Sequence, residues 1–416
     1  MAHHTAKAAY DQLVNRLNKF PQGAPPSETL YQILKMLFSE EEASLVAKLP
    51  IRAFTAKEAA KRWGENKEKT EEVLRGLASR CILLDIRTDE EVHYVLPPPM
   101  AGFFEFSMMR LRGDVDQKLL GQLYYQYLNV EEDFVKELFT GTDTKLGRAY
   151  VNEGVLSSDQ EITTLDFERA SHVIADSKHM GISMCYCRHK MEHAGTVCDA
   201  PMDICMTFGN TADALIRSGY ARRVDKSEGM ELLHEAYENN LVQFGENVRT
   251  GVNFICNCCG CCCEALLAQK RFAYLNPIVT TKYLAVIDQD DCVNCGKCVK
   301  ACPINAIDGD DQGTEVVSNL CIGCGVCLRN CPTKALGFVE REERIITPAN
   351  SVHRVVLMAI DRGQLQDLIF DNDALMSHRA MAAILSAVLK LSPVKRALAS
   401  DQVRSVYLER LIERVM

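Results

Sequence analysis

Eight cysteines fall into two runs of identical spacing. Cys292, Cys295, Cys298 and Cys302 precede Pro303, and Cys321, Cys324, Cys327 and Cys331 precede Pro332. Each run reads C-x2-C-x2-C-x3-C-P, the bacterial spacing for [4Fe–4S] ligation. A cubane needs four thiolates converging from different directions. Two-residue gaps let one short loop present three of them, and the fourth comes from the other run. The expected assignment is therefore crossed, with Cys292, Cys295, Cys298 and Cys331 on one cluster and Cys321, Cys324, Cys327 and Cys302 on the other. Gly296, Gly323 and Gly325 allow the backbone to approach sulfur closely. Zinc knuckles use paired CxxC units, without a third cysteine at the same gap.

Ten more cysteines lie between residues 185 and 263. The first group is Cys185, Cys187, Cys198 and Cys205, with Arg188 beside it. Four thiolates on a loop of this length can close around one cubane, and Arg188 would offset its negative charge and raise its potential. A zinc site is the alternative, because His189 and His193 stand four apart, next to Cys185 and Cys187. The second group is Cys256, Cys258, Cys259, Cys261, Cys262 and Cys263. Within it, Cys256, Cys259 and Cys262 repeat the C-x2-C-x2-C tripod, so a fourth cubane is expected there with its last ligand open. Cys258, Cys261 and Cys263 are spare. They are candidates for further metal ligands, a redox dithiol at Cys258 and Cys261, or ligands of an unusual larger cluster. Cys81 stands alone and reads as an inert buried thiol.

Residues Tyr283 to Glu340 resemble the bacterial-type dicluster ferredoxins, with both motifs complete. The CCG at Cys258-Cys259-Gly260 resembles, more loosely, the cysteine-rich domains of heterodisulfide-reductase-type proteins. The whole arrangement also looks like a group of 4Fe-4S dicluster-domain proteins. The resemblance implies an oxidoreductase subunit from an anaerobe.

Elements must position these residues. A short strand over Gly181–Tyr186 is expected to lead into the first cysteine group, and a strand over Val252–Ile255 into the second. Helices are expected over Asp166–Ser177, Asp213–Ser218 and Ser227–Asn239. Near the N-terminus, Ala6–Phe20, Thr29–Phe38 and Glu41–Leu49 read as helices. Thr55 and Glu58 form a capping box opening a helix over Ala56–Trp63, and Gly64 ends it. Lys67–Ser79 is a second helix, and Ile82–Arg87 and Val92–Leu96 form a hairpin. Helix, turn, helix, hairpin resembles a winged helix-turn-helix. DNA is an unlikely partner for it: residues 25–100 carry 11 Lys/Arg against 13 Asp/Glu, whereas a DNA reader needs a basic footprint. The Phe- and Met-rich run from Met100 to Leu111 reads as core, with helices over Val115–Asn129 and Glu131–Phe139 and a linker over Gly141–Gly147. After the ferredoxin-like module, Ser351–Arg362, Ser377–Leu391 and Gln402–Val415 read as amphipathic helices that pack over the module or form an interface.

The chain of 416 residues, 47% hydrophobic and 25% charged with net charge −9, has the composition of a soluble globular protein. No apolar leader opens it and no apolar run is long enough to span a bilayer, so a cytoplasmic protein is expected. The expected fold class is α+β and multidomain. It comprises an N-terminal helix (1–24), a winged-helix-like domain (25–100), a helical arm (101–145), a central α/β cysteine-rich domain (146–282), the dicluster module (283–340) and C-terminal helices (341–416). No dinucleotide, phosphate-loop or flavin fingerprint occurs. The leading expectation is an electron-transfer protein that relays single electrons through two to four [4Fe–4S] clusters to a redox partner or catalytic subunit, with its terminal helices able to mediate assembly. The alternatives are a reductase with its active site at Cys256–Cys263 and a redox-sensing DNA-binding regulator.

Overall fold

A computed structural model describes residues 2–88, 91–310, 313–342 and 347–369 of the chain. Helix and sheet are mixed, as an α+β fold requires. Three helices open it: Ala2–Leu17, Glu28–Leu37 and Glu40–Val46. Ser27 and Ser39 cap the second and third, and Glu42 closes a capping box with Ser39, satisfying amide groups that the first helical turn leaves free. Strand β1 (Phe54–Thr55) then leads into helix Ala56–Trp63, where Thr55 and Glu58 form the expected box and Gly64 turns out of the helix at φ +71°. Helix Lys67–Ser79 and the hairpin β2 (Leu84–Arg87) and β3 (Val92–Val95) follow, giving a small antiparallel sheet of order β1-β3-β2.

The Phe/Met run is core rather than one continuous helix. Phe103, Phe104, Phe106, Met108 and Met109 are all buried, within an irregular turn whose only α-helical piece is Phe104–Phe106. Helices Gln117–Tyr125 and Asp133–Thr140 complete the arm. The expected linker over 141–147 is tied down: Thr142 Oγ1 donates to the Thr144 carbonyl, and Thr144 N to Asp361.

The centre is a six-stranded antiparallel sheet built from β4 (Gly147–Ala149), β5 (Met180–Met184), β6 (Asp203–Phe208), β7 (Arg222–Arg223), β8 (Val242–Glu246) and β9 (Phe254–Cys258). Its order is β4-β8-β9-β6-β5-β7. The strand expected at Val252–Ile255 thus begins later and carries Cys256 and Cys258 within it. The module adds two pairs, β10 (Tyr283–Ile287) with β13 (Leu336–Glu340), and β11 (Ile307–Asp310) with β12 (Gly313–Val316). One cluster of buried apolar side chains runs from Ala9 through the arm and the sheet to Leu336 in the module.

Helices Ser351–Arg362 and Leu365–Ile369 pack their buried faces together with Ile51 and Phe20. Arg354 reaches Glu246 on β8 at 3.0 Å and Gln22 at 3.2 Å, and Arg362 pairs with Glu137. The described part of the tail therefore braces the N-terminal helices against the sheet. Residues 377–391 and 402–415, where two further helices are expected, lie outside the described residues. Among the described residues, no helix is long and apolar enough to cross a membrane.

Candidate metal centres in the cysteine-rich core

In the module, the two runs cross. Cys292, Cys295, Cys298 and Cys331 line one cavity, and Cys302, Cys321, Cys324 and Cys327 line a second. The empty volumes are about 340 and 320 Å³. Gly296 and Gly325 adopt positive φ at the starts of the short helices Lys297–Ala301 and Val326–Arg329, the left-handed geometry that glycine takes without strain. Gly323, also at positive φ, packs so tightly that an added Cβ would lie 2.1 Å from the Tyr283 carbonyl oxygen. The two cavities differ in exposure. Cys295 of the first is exposed, whereas Cys321 and Cys327 of the second are buried. Burial pushes the thiols of Cys324 and Cys327 up.

The ten remaining cysteines separate into groups that differ from the expected ones. Six are electrostatic neighbours in a closed order: Cys185–Cys187, Cys187–Cys263, Cys263–Cys258, Cys258–Cys256, Cys256–Cys205 and Cys205–Cys185. The sheet explains half of it. Cys256 and Cys258 are two apart on β9 and so share a face. The pairing of Met206 with Ile255 sets Cys205 beside Cys256. Two helix starts supply the rest. Cys185 is the N-cap of helix Tyr186–His193, whose first turn holds Cys187, and Cys263 is the N-cap of helix Glu264–Phe272. Backbone amides donate to both N-cap sulfurs, from Arg188 to Cys185 and from Ala265 and Leu266 to Cys263. Helix N-termini stabilise thiolates. Neighbouring thiols and these amides hold Cys185 and Cys263 well below the usual thiol range. Cys205 and Cys258 bring Cys256 to about 6. The alternate members Cys187, Cys205 and Cys258 are pushed up, chiefly by those same neighbours.

The other four, Cys198, Cys259, Cys261 and Cys262, have all their sulfurs within 4.8 Å of one another. Cys262 Sγ lies 3.6 Å from Cys261 Sγ and 3.9 Å from Cys198 Sγ. A tetrahedral metal with bonds of about 2.3 Å to sulfur sets its sulfurs about 3.8 Å apart. The set thus fits one tetrahedral ion. A cubane spreads its thiolates wider, because each binds a different iron. Cys262 and Arg188 bring the Cys259 thiol down to about 5, while burial and Cys259 push Cys261 up to about 12.

These groups replace the expected loop-by-loop division. Cys198 leaves Cys185, Cys187 and Cys205 and joins the second loop, and the tripod of Cys256, Cys259 and Cys262 is split. Beyond Cys258 the chain leaves the strand, so a spacing that works on one loop no longer points to one centre. The dithiol expected at Cys258 and Cys261 is divided as well, Cys258 being in the circuit and Cys261 in the tetrahedral set. The two histidines stand apart from the thiols. His189 Nδ1 bonds the Met108 carbonyl at 2.7 Å, and its Nε2 lies 3.1 Å from His193 Nε2. Cys81 is buried at 1% exposure, and burial pushes its thiol up to about 12.

Arg188 joins the two thiol groups. It is fully buried, and its charge faces Cys185, Cys205 and Cys258 of the circuit and Cys259 of the tetrahedral set. Its guanidinium donates to the Pro201 carbonyl at 2.9 Å and to the Asn257 carbonyl at 2.8 Å. Its Nε is buried with no hydrogen-bond partner among the described residues, which suits an anionic acceptor bound between the thiols. Three further features shape the site. Buried Lys190 pairs with Glu264, the residue after Cys263, and Asn129 bonds both. This clamp holds together the two helices that deliver Cys187 and Cys263. Glu105, half-buried and near Cys256, accepts the amides of Ala101 and Gly102 at 2.8 and 2.9 Å, yet desolvation pushes its carboxyl up to about 8. Third, Gly260 lies against the backbone of Pro303, the residue after Cys302.

Residues 285–337 match the family model described as a 4Fe-4S dicluster domain. No curated protein and no solved structure matches the chain. The dicluster domain is the one part of the chain that comparison identifies. It supports iron–sulfur electron transfer.

Proposed function

We propose that the protein is an iron–sulfur electron relay whose module collects electrons at an exposed end and passes them to a buried cysteine-rich centre. Cys292, Cys295, Cys298 and Cys331 would hold the outer [4Fe–4S] cluster, and Cys302, Cys321, Cys324 and Cys327 the inner one. The clusters supply one-electron transfer, and the protein sets their spacing and potential. Cys198, Cys259, Cys261 and Cys262 would hold a single tetrahedral ion, iron or zinc.

The observation that carries this reading is the contact of Gly260 with Pro303. It presses the loop between Cys259 and Cys261 onto the loop after Cys302, so the cysteine sets follow one another from exposed Cys295 to buried Arg188. The protein's own contribution is alignment. Asn152 N donates to the Cys324 carbonyl at 2.8 Å, Lys270 Nζ to the Gly260 carbonyl at 2.7 Å, and Gln269 Nε2 to the Leu320 carbonyl at 3.2 Å. The redox partner would meet the module near Cys295 and Val293, which are exposed.

The winged-helix-like region serves as internal packing in this reading. Arg217 grips Asp85 through several bonds of 2.6–3.3 Å, and on helix Lys67–Ser79 both Lys67 and Lys69 face glutamates. Such pairing disfavours a phosphate-binding surface.

The test is metal and sulfide analysis of anaerobically purified protein. Replacing Cys295 and Cys324 with alanine should remove up to about eight irons and their sulfide, together with the EPR signals of the reduced cubanes. Unchanged iron in that variant would sink the reading.

A further inference from the structure

The four sulfurs of the tetrahedral set differ in access. Cys261 is exposed, Cys198 and Cys259 are half-buried, and Cys262 is buried. Close approaches lead inward from the exposed one: Cys261 Sγ stands 3.6 Å from Cys262 Sγ, and Cys262 Sγ 3.9 Å from Cys198 Sγ. A soluble oxidant therefore meets Cys261 first, and the thiols that can take over its oxidation are already beside it. The two possible bonds are unequal. Adjacent Cα atoms are about 3.8 Å apart across a trans peptide, closer than the roughly 4.4 Å at which relaxed disulfides begin. A Cys261–Cys262 bond is thus strained. Cys198 comes from the loop between helix Tyr186–His193 and β6, 64 residues away from Cys262 in sequence, so a Cys198–Cys262 bond is free of that constraint.

We propose that the tetrahedral set is a redox-sensitive metal latch: a soluble disulfide oxidises Cys261, the oxidation passes through Cys262 to Cys198, and the metal ion is expelled. The proposal rests on the reading that these four sulfurs hold one ion. In the first step the Cys261 thiolate attacks one sulfur of the oxidant, forming a mixed disulfide and releasing one small thiolate. The Cys262 thiolate then attacks the Cys261 sulfur, forming the strained Cys261–Cys262 bond and releasing the second small thiolate. Finally the Cys198 thiolate attacks the Cys262 sulfur and frees the Cys261 thiolate. Two protein thiolates have lost two electrons between them, and the oxidant has gained both as two thiolates. The ion keeps only Cys259 and Cys261 of the four ligands that a closed tetrahedral site provides, and it leaves.

The latch sits where the module meets the cysteine-rich domain. Gly260, between Cys259 and Cys261, lies against Pro303, and Lys270 Nζ donates to the Gly260 carbonyl. Loss of the ion removes the internal anchor of this loop. Oxidising conditions would then loosen the join between the module and the buried thiols while the module's own clusters persist.

The experiment exposes the full chain, purified anaerobically, to oxidised glutathione. Metal released to a chromogenic chelator, acid-labile sulfide retained by the protein, and disulfide-linked peptides found by mass spectrometry are read together. The expected result is release of about one ion per chain with sulfide unchanged, and a peptide pair joined through Cys198 and Cys262. Dithiothreitol with added metal should restore the ion. The Cys261→Ser variant lacks the entry thiol, so the Cys198–Cys262 bond should form at least about tenfold more slowly in it, even though its remaining thiols carry no ion. Glutathione bound at Cys261 with the ion retained would overturn the proposal, as would release without a Cys198–Cys262 bond or an equal rate in the variant. Sulfide lost in step with the metal would place the reaction at the cubanes and overturn it too. Native protein with no ion bound at these cysteines would refute the four-sulfur reading and the latch with it, whereas an ion that is present and stays bound refutes the latch alone.

Discussion

Gly260 has no room for a side chain beside Pro303: an added Cβ would stand 1.8 Å from the Pro303 carbonyl oxygen. The obstacle is backbone, which cannot rotate aside as a side chain could. Gly260→Ala should therefore push the thiol loop away from the module, costing about 1–3 kcal/mol or more. Thermal unfolding should show the loss of stability. Reduction of the buried cysteine-rich centre by way of the module should slow, while the module keeps its iron. A variant of unchanged stability and rate would show that the contact is incidental.

The Lys190–Glu264 clamp allows a sharper test of architecture. Both groups are buried, so removing one leaves the other charged without a partner. Lys190→Met should cost about 3–5 kcal/mol in urea unfolding. Adding Glu264→Gln should recover at least half of that, because the amide is neutral and can still bond Asn129. If the double variant is no better than the single one, the cost is packing rather than charge.

Arg188 bears on potential. It is the buried cation shared by both thiol groups, so its removal should make the cysteine-rich centre it faces harder to reduce. Arg188→Gln is expected to lower the midpoint by at least about 60 mV, or about 1.4 kcal/mol for one electron. Arg188→Lys keeps the charge and should shift it less. An EPR-monitored redox titration reads both. Equal shifts in the two variants would point to lost hydrogen bonds to Pro201 and Asn257 rather than to lost charge.

The tetrahedral set makes a stoichiometric prediction. Cys261→Ser or Cys198→Ser should each remove about one metal ion per chain and no acid-labile sulfide. Elemental analysis for iron and zinc, paired with sulfide assay, measures this. Loss of about four irons with sulfide would restore a cubane there.

What could be read from the chain follows how local each feature is. The C-x2-C-x2-C-x3-C-P runs are self-contained, so the crossed lining of the two module cavities is legible from spacing. The Thr55–Glu58 box and the helix over Lys67–Ser79 are local too. The grouping of the other ten cysteines is not. Cys205 meets Cys256 only through the β6–β9 register, and Cys198 reaches Cys262 across 64 residues. The tripod at Cys256, Cys259 and Cys262 misleads because its first member lies in a strand and the others beyond its end. Lys190 and Glu264 look like ordinary surface charges until the fold buries them. One signal was available: Cys263 immediately precedes a good helix former run, Glu264-Ala-Leu-Leu, which marks an N-cap position.

The central claim is that electrons reach the buried thiols through the module. Its most direct test is rapid-mixing reduction of the native protein and of the Cys295→Ala/Cys324→Ala variant, each by two donors. One donor is a small ferredoxin-sized protein and the other a small chemical reductant. The account predicts that the protein donor reduces the non-module iron at least about tenfold more slowly in the variant, a difference of about 1.4 kcal/mol in barrier, while the small reductant acts on both alike. Equal rates with the protein donor would contradict it.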